Sequence, residues 1–153
     1  MATKDEDARE AWGAITRMFI ADENQRRFAT IAAGEGISPR QLHAVLDLVP
    51  GEPQPMRDLA QAWYCDASNV TAIVDGLEEL GLAERQSSGA DRRVKLVALT
   101  GKGAALRARA TERLQTPATG LLQLSAAELR TLRELLVKAA ADYGWPGGVA
   151  AFE

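Results

Sequence analysis

The chain has one cysteine, one histidine and an aromatic content of only 5%, and each scarcity removes a class of function. A lone Cys65 excludes an internal disulfide framework and fits a reducing compartment. Cys65 and His43 are too few soft ligands for a structural zinc site, so no metal and no cofactor is expected. The same shortage leaves a poor catalytic inventory: there is no Gly-x-Ser-x-Gly, no His-Glu-x-x-His and only an isolated Gly101-x-Gly103 pair, and the chain is not read as an enzyme. Apolar runs span only a few residues, as in Leu135-Leu136-Val137, too short to cross a hydrocarbon layer. The start, Met1 to Asp7, is polar and acidic and lacks the basic-then-apolar order of a signal peptide. A soluble cytoplasmic protein is the expectation.

What is present is enough for one domain with a real core: 153 residues, 46% of them hydrophobic. The net charge of -3 excludes a protein that coats nucleic acid over its whole surface, so any DNA contact must rest on a local patch.

Apolar spacing lays out the elements. Residues from about Glu6 to Ala33 lack proline and carry Ala8, Trp12, Ile15, Met18 and Phe19 at three-and-four spacing, which predicts one long amphipathic helix ended by Gly34 and Gly36. Ser38-Pro39, a cap followed by proline at the first helical position, opens a second helix through Leu42, Val45, Leu46 and Val49. Pro50 to Pro55 reads as a loop. A short helix over about Met56 to Trp63 then leads through Tyr64 and Cys65 to Asp66, placed to cap a longer helix to about Leu80. At about 100° per residue, Val70, Ile73, Val74, Leu77 and Leu80 share one side of that helix, while Ser68, Ala72, Asp75 and Glu79 face the other way. Gly81 stops it. Two strands follow, Leu82 to Gln86 and one carrying Val94, Leu96 and Ala98 in alternation, joined by a small loop. Thr100 caps the next helix, which runs to Gln115 before Thr116-Pro117, and Ser125-Ala126-Ala127-Glu128 is a capping box opening the last. Gly144 to Gly148 ends that helix.

The result is a mainly α chain with a small β-ribbon: a winged helix-turn-helix flanked by long terminal helices. A central unit of this size does not bury both of them, so self-association through the terminal helices is expected.

The helix opening at Asp66 presents Ser68, Asn69, Thr71 and Ala72 in its first turn and a half, all small or amide-bearing, so its backbone can approach base edges. Asp75, Glu78 and Glu79 come later, an order that suits N-terminal insertion into the major groove. The alternative is a solvated helix start, where such residues are common for capping alone. From Arg85 to Lys95, four cations, Arg85, Arg92, Arg93 and Lys95, face a single acid, Asp91. Arginine on a narrow hairpin tip can reach a minor groove or straddle a phosphate; an ordinary charged hairpin is the plainer reading. Gln54 to Lys102 as a whole carries six basic and seven acidic residues. Binding would then rest on few phosphate contacts per subunit and on a dimer.

The pattern Asp91-x-Arg93-x5-Leu99-Thr100, preceded by Val74-Asp75-x-Leu77-Glu78-x-x-Gly81-Leu82 and by Leu59-Ala60 with Ser68-x-x-Thr71, resembles the MarR family of bacterial winged-helix regulators. The resemblance implies a single MarR-like domain over 1–153, with the DNA-binding part at 38–100 and dimerisation helices at 5–34 and 100–143. It implies a homodimer on a pseudo-palindromic operator of double-stranded DNA, a repressor released by a small aromatic effector. Ser68, Asn69, Thr71 and Ala72 would face bases. Arg92, Arg93 and Lys95 would serve the wing, with either arginine entering the minor groove and an Asp91 to Arg93 pair as its brace.

Two positions depart from the family pattern: Tyr64 stands where a glycine is common in the turn, and Gly76 where an arginine often follows Val-Asp. Gly76 costs on the order of 1 kcal/mol against alanine in a helix and removes a phosphate contact. A candidate effector pocket is drawn from Trp12, Ile15, Phe19, Leu42, His43 and Leu46, with His43 meeting a carboxylate or phenol; the alternative is that these are core and dimer-contact residues. Reactive thiolates need a cationic setting, and Tyr64 and Asp66 do not supply one, so Cys65 reads as a small apolar turn residue rather than a redox switch. The alternative function is a winged helix used for protein contacts without DNA.

Overall fold

Three capping boxes punctuate the chain, Thr3 with Glu6, Ser38 with Gln41 and Ser125 with Glu128, each opening a helix by satisfying orphan N–H groups reciprocally. In the computed structural model, residues 3–87 and 94–141 are described, with backbone alone for Phe19 and 22–25. Along them run α1 (Lys4–Ile20), α2 (Asp22–Gly34), α3 (Pro39–Asp47), β1 (Gln54–Pro55), α4 (Met56–Ala62), α5 (Ala67–Glu79), β2 (Ala83–Ser87), β3 (Lys95–Leu99), α6 (Gly101–Leu114), a 3-10 turn (Thr119–Gln123) and α7 (Ala126–Ala140). The expected end of the last helix at Gly144 lies outside the described residues.

Two expectations are corrected. The single long helix over Glu6 to Ala33 is two helices: Ala21 turns to φ -55, ψ 133 although its N–H still reaches the Arg17 carbonyl. Neither proline nor glycine marks the break, but Asp22 and Glu23 open the second helix, where acidic residues favour a new N-terminus. The segment read as a loop to Pro55 ends in β1. Its two residues pair antiparallel with β3, Gln54 opposite Val97 and Pro55 opposite Leu96, making a three-stranded sheet of order β1-β3-β2. Proline sits on an edge strand, as its missing N–H requires.

One core joins the central elements. Leu42, Val45 and Leu48 from α3 and its end, Leu59 from α4, Val70, Val74 and Leu77 from α5, and Leu82 and Val97 at the sheet are fully buried, with Leu106 and Ala110 of α6 packed on them. At the sheet's inner end Val97, Ala98 and Leu99 are all buried, because α4 and α6 both lie against β3; the expected alternation is lost there. Gly81, at φ +66, ends α5 with Gly81 N–H on the Glu78 carbonyl and Leu82 N–H on that of Leu77.

The terminal helices differ in kind. Neither α1 nor α7 holds a buried residue, and they leave Trp12 (68% exposed), Ile20, Leu135 and Val137 (64%) in solvent. Among the described residues no helix is long and apolar enough to cross a membrane.

Candidate nucleic-acid interface

The apolar stripe Val70, Val74 and Leu77 turns one side of α5 into the core, and this fixes what the opposite side shows. Ser68, Thr71 and Ala72 are exposed and Asn69 is half-buried, so the four residues form one small, polar leading surface. Asp66 caps the helix by accepting the Asn69 N–H at 2.9 Å. The Ser68 hydroxyl donates to the same Asp66 oxygen at 2.6 Å, and the Asn69 side-chain amide to the other oxygen at 3.2 Å. The Thr71 hydroxyl donates back to the Ala67 carbonyl at 2.9 Å. Three of the four predicted readers are thus held by internal hydrogen bonds. The Ser68 hydroxyl, and after it the Asn69 N–H, hold the Asp66 carboxyl below its ordinary pKa, so the leading end of α5 carries a full negative charge against its own helix dipole.

The sheet brings a second element beside this face. β2 and β3 pair from Ala83 opposite Leu99 to Ser87 opposite Lys95, which sets Lys95, exposed, where the two strands diverge toward the wing tip. Asp91, Arg92 and Arg93, the predicted brace and tip, lie outside the described residues.

Arg85, counted by sequence among the wing cations, is committed elsewhere. Its guanidinium meets Asp75 Oδ1 at 2.7 Å and also pairs with Glu78. Burial opposes its charge, but the Asp75 hydrogen bond and the Glu78 and Asp75 carboxylates outweigh it and hold its pKa above the ordinary value. Sequence reasoning missed this pairing, which crosses from strand to helix and leaves no periodic signal.

Several small-scale features fix the helix against its neighbours. Lys102 Nζ donates to the Leu80 carbonyl at 2.7 Å and the Thr100 hydroxyl to that of Gly81 at 2.7 Å, closing the C-terminal end of α5. A Cβ on Gly103 would lie 1.9 Å from the Leu82 carbonyl oxygen, so the glycine pair noted in the sequence is a packing device that lets α6 start against that turn. Gly76 faces α3: a Cβ there would lie 2.6 Å from Nε2 of Gln41, so glycine at this position serves the approach of two helices. Tyr64 holds φ +47 in the turn before α5 and is 97% exposed; the position where the family pattern favours glycine does require the left-handed conformation.

The six effector-pocket residues are not brought together in one protomer. Leu42 is fully buried core and Leu46 packs against it, while Trp12 and Ile15 lie on α1; the Phe19 side chain is outside the described set. His43 instead borders a cavity of about 320 Å³ lined by Phe28, Pro39, Arg40, Trp63, Cys65 and Ile73. Its Nδ1 lies 3.3 Å from Asp47. Burial pushes the Asp47 carboxyl up, against the pull of His43, Trp63 and Arg107. The buried Trp63 indole N–H completes no hydrogen bond of good geometry, although it lies near enough to favour the charged carboxylate. The cavity's lining comes from four separate elements, which no single stretch of sequence discloses. Among the described residues no cluster of His, Cys, Asp and Glu could hold a metal ion.

Residues 35–94 match the model of the MarR family. No curated protein matches the chain. Among solved structures it is similar to apo MarR from E. coli, at 23% identity over 83% of this chain and 94% of that one with a TM-score of 0.69. It is similar to YusO from Bacillus subtilis, at 21% identity over 92% and 99% with a TM-score of 0.68. A MepR mutant from S. aureus bound to an oligodeoxyribonucleotide matches at 23% identity over 87% and 98%, with a TM-score of 0.61. At these identities the likeness is one of fold.

Proposed function

This chain belongs to the MarR family through its winged helix, and on that footing we propose that it is a dimeric, sequence-specific transcriptional regulator in the cytoplasm that represses from a pseudo-palindromic operator. The observation that carries the reading is the small polar leading surface of α5, Ser68, Asn69, Thr71 and Ala72, on a helix whose other side is locked into the core. Small side chains let the helix enter a major groove, and their hydroxyls and amide suit base edges. Arg92, Arg93 and Lys95 contact the flanking backbone, and an Asp91–Arg93 pair braces the tip. A neighbour of the same fold, MepR, is titled as bound to an oligodeoxyribonucleotide, which supports the reading.

Residues 38–100 are the DNA-binding part and 5–34 with 100–143 the dimerisation part. The apolar residues that α1 and α7 leave in solvent support a second copy as their cover. A small aromatic effector in the cavity beside His43 releases the operator; its volume suits a small ligand, and Arg40 and His43 offer charge and hydrogen bonds to a carboxylate or phenol.

The test is selection from random duplexes followed by salt-dependent band shifts. Arg92→Ala with Arg93→Ala abolishes specific binding if the wing assignment holds, and Leu135→Glu with Val137→Glu converts the dimer to monomer in sedimentation. If no duplex is enriched while a protein partner co-purifies, the reading gives way to a protein-interaction module, which the acids Asp66, Asp75, Glu78 and Glu79 on and before α5 would suit.

A further inference from the structure

Arg85 reaches one side of α5 at three heights. Its backbone N–H donates to Glu78 Oε1 at 2.7 Å, and its guanidinium contacts the second Glu78 oxygen, Asp75 Oδ1 at 2.7 Å and the Thr71 carbonyl at 3.4 Å. Residues 71, 75 and 78 are one stripe of a helix, spaced at three-and-four. The Arg85 side chain is 25% exposed, less than that of either carboxylate it holds. On the strand side Arg85 stands opposite Val97, which is fully buried, so its Cα is fixed by the sheet. A single residue therefore ties the middle of β2 to the middle of the helix that leads into the groove.

We propose that Arg85 is a positioning residue for DNA reading: it sets the wing against α5 and cancels the two carboxylates on that helix, and it makes no phosphate contact of its own. The inference rests on the DNA-binding reading above. Its physical basis is donor supply. A guanidinium already shared among Asp75, Glu78 and Thr71 has its planar fork filled, and moving it to a phosphate would leave two acids uncovered beside the DNA backbone. Arg92, Arg93 and Lys95 are left as the wing's contribution to phosphate binding.

The distinction is measurable, because a phosphate contact and a positioning contact differ in salt dependence. On the full-length protein with its selected operator, Arg85→Ala is expected to weaken binding about tenfold, the scale of two part-exposed ion pairs per dimer. The slope of log affinity against log salt stays that of the wild type, and binding to an unrelated duplex changes less than binding to the operator. Arg85→Lys stays within about threefold of Arg85→Ala, since one ammonium cannot bridge three acceptors, whereas it would largely rescue a phosphate contact. A fall in the slope of about 2 per dimer, near 0.9 for each lost contact, overturns the inference, as does unchanged operator affinity or full rescue by lysine. Thermal melting establishes that both variants are folded at the assay temperature. A wild type that enriches no duplex overturns the DNA reading instead. Amide exchange over residues 83–87 then decides on the clamp alone: faster exchange in Arg85→Ala upholds it, and unchanged exchange refutes it.

Discussion

Asp66 and Asn69 are joined twice, the backbone N–H of Asn69 resting on one carboxylate oxygen and its side-chain amide on the other. The pairing starts the helix and at the same time sets a negative charge where phosphates would come. Serine caps as well as aspartate does but carries no charge. Asp66→Ser should therefore leave the melting temperature nearly unchanged and strengthen operator binding severalfold, most visibly at low salt. Asp66→Ala should lose about 1 kcal/mol of stability. Weaker operator binding in the serine variant, measured by band shift, would count against an approach of DNA to this end of α5.

Tyr64 is the described non-glycine residue with positive φ. With 97% exposure it gains little from packing in return. Replacing it by glycine removes a steric cost of about 1–2 kcal/mol, offset by about 0.4–1 kcal/mol of added freedom in the unfolded chain. Tyr64→Gly should raise stability by up to about 1 kcal/mol, some 2–4 °C in Tm for a chain of this size. A lower Tm would show that the tyrosine ring has a partner of its own.

The two close-packed glycines should respond in opposite ways. Gly103→Ala sets a methyl 1.9 Å from a backbone oxygen that cannot swing aside, and should cost about 3 kcal/mol or more. Gly76→Ala meets only the amide end of Gln41, which can move at the expense of its capping contact with Ser38. About 1 kcal/mol of helix propensity offsets that loss, so urea unfolding should place the variant close to wild type. Comparable destabilisation by both would contradict the contacts described.

Asp47 gives the pH dependence its sign. Burial raises its folded pKa above the ordinary 3.8. The contribution of this group to stability is therefore fully present below that value and is lost as pH rises through the raised pKa. Asp47→Asn should be more stable than wild type above the folded pKa, and the gain should shrink toward zero as pH falls toward 3.8. Urea titrations across that range check it, and a gain that grows on acidification would refute it.

How much of this was legible in the sequence depends on the range of the signal. Caps are local: Ser38, Asp66, Thr100 and Ser125 were each readable from the residues around them, and each opens the helix expected. The apolar stripe of α5 was likewise readable, with Val70, Val74 and Leu77 buried as its period requires. The break at Ala21 was not, because alanine is the best helix former and the chain turns there by tertiary demand. Gln54–Pro55 is too short to show a period. The partners of Arg85 and the lining of the cavity by Phe28, His43 and Trp63 depend on which elements meet, and no spacing encodes that. The departures at Tyr64 and Gly76 were visible as unusual residues, but only backbone geometry tells that one marks strain and the other a close helix crossing.

The 14 residues of α6 make a rod of about 21 Å, and it is pinned along its length. Arg107 donates to the Leu46 carbonyl at 3.1 Å and Arg109 meets Glu35 at 2.6 Å, while its first turn is wedged under Leu82 through Gly103. Such a rod transmits rotation without absorbing it. A tilt of about 10° at one end carries the other about 3.6 Å, close to the rise of one base pair. Within a dimer fixed at its terminal helices, a disturbance no larger than a side-chain rearrangement near α6 would thus change the spacing of two half-sites by a whole step of the DNA ladder.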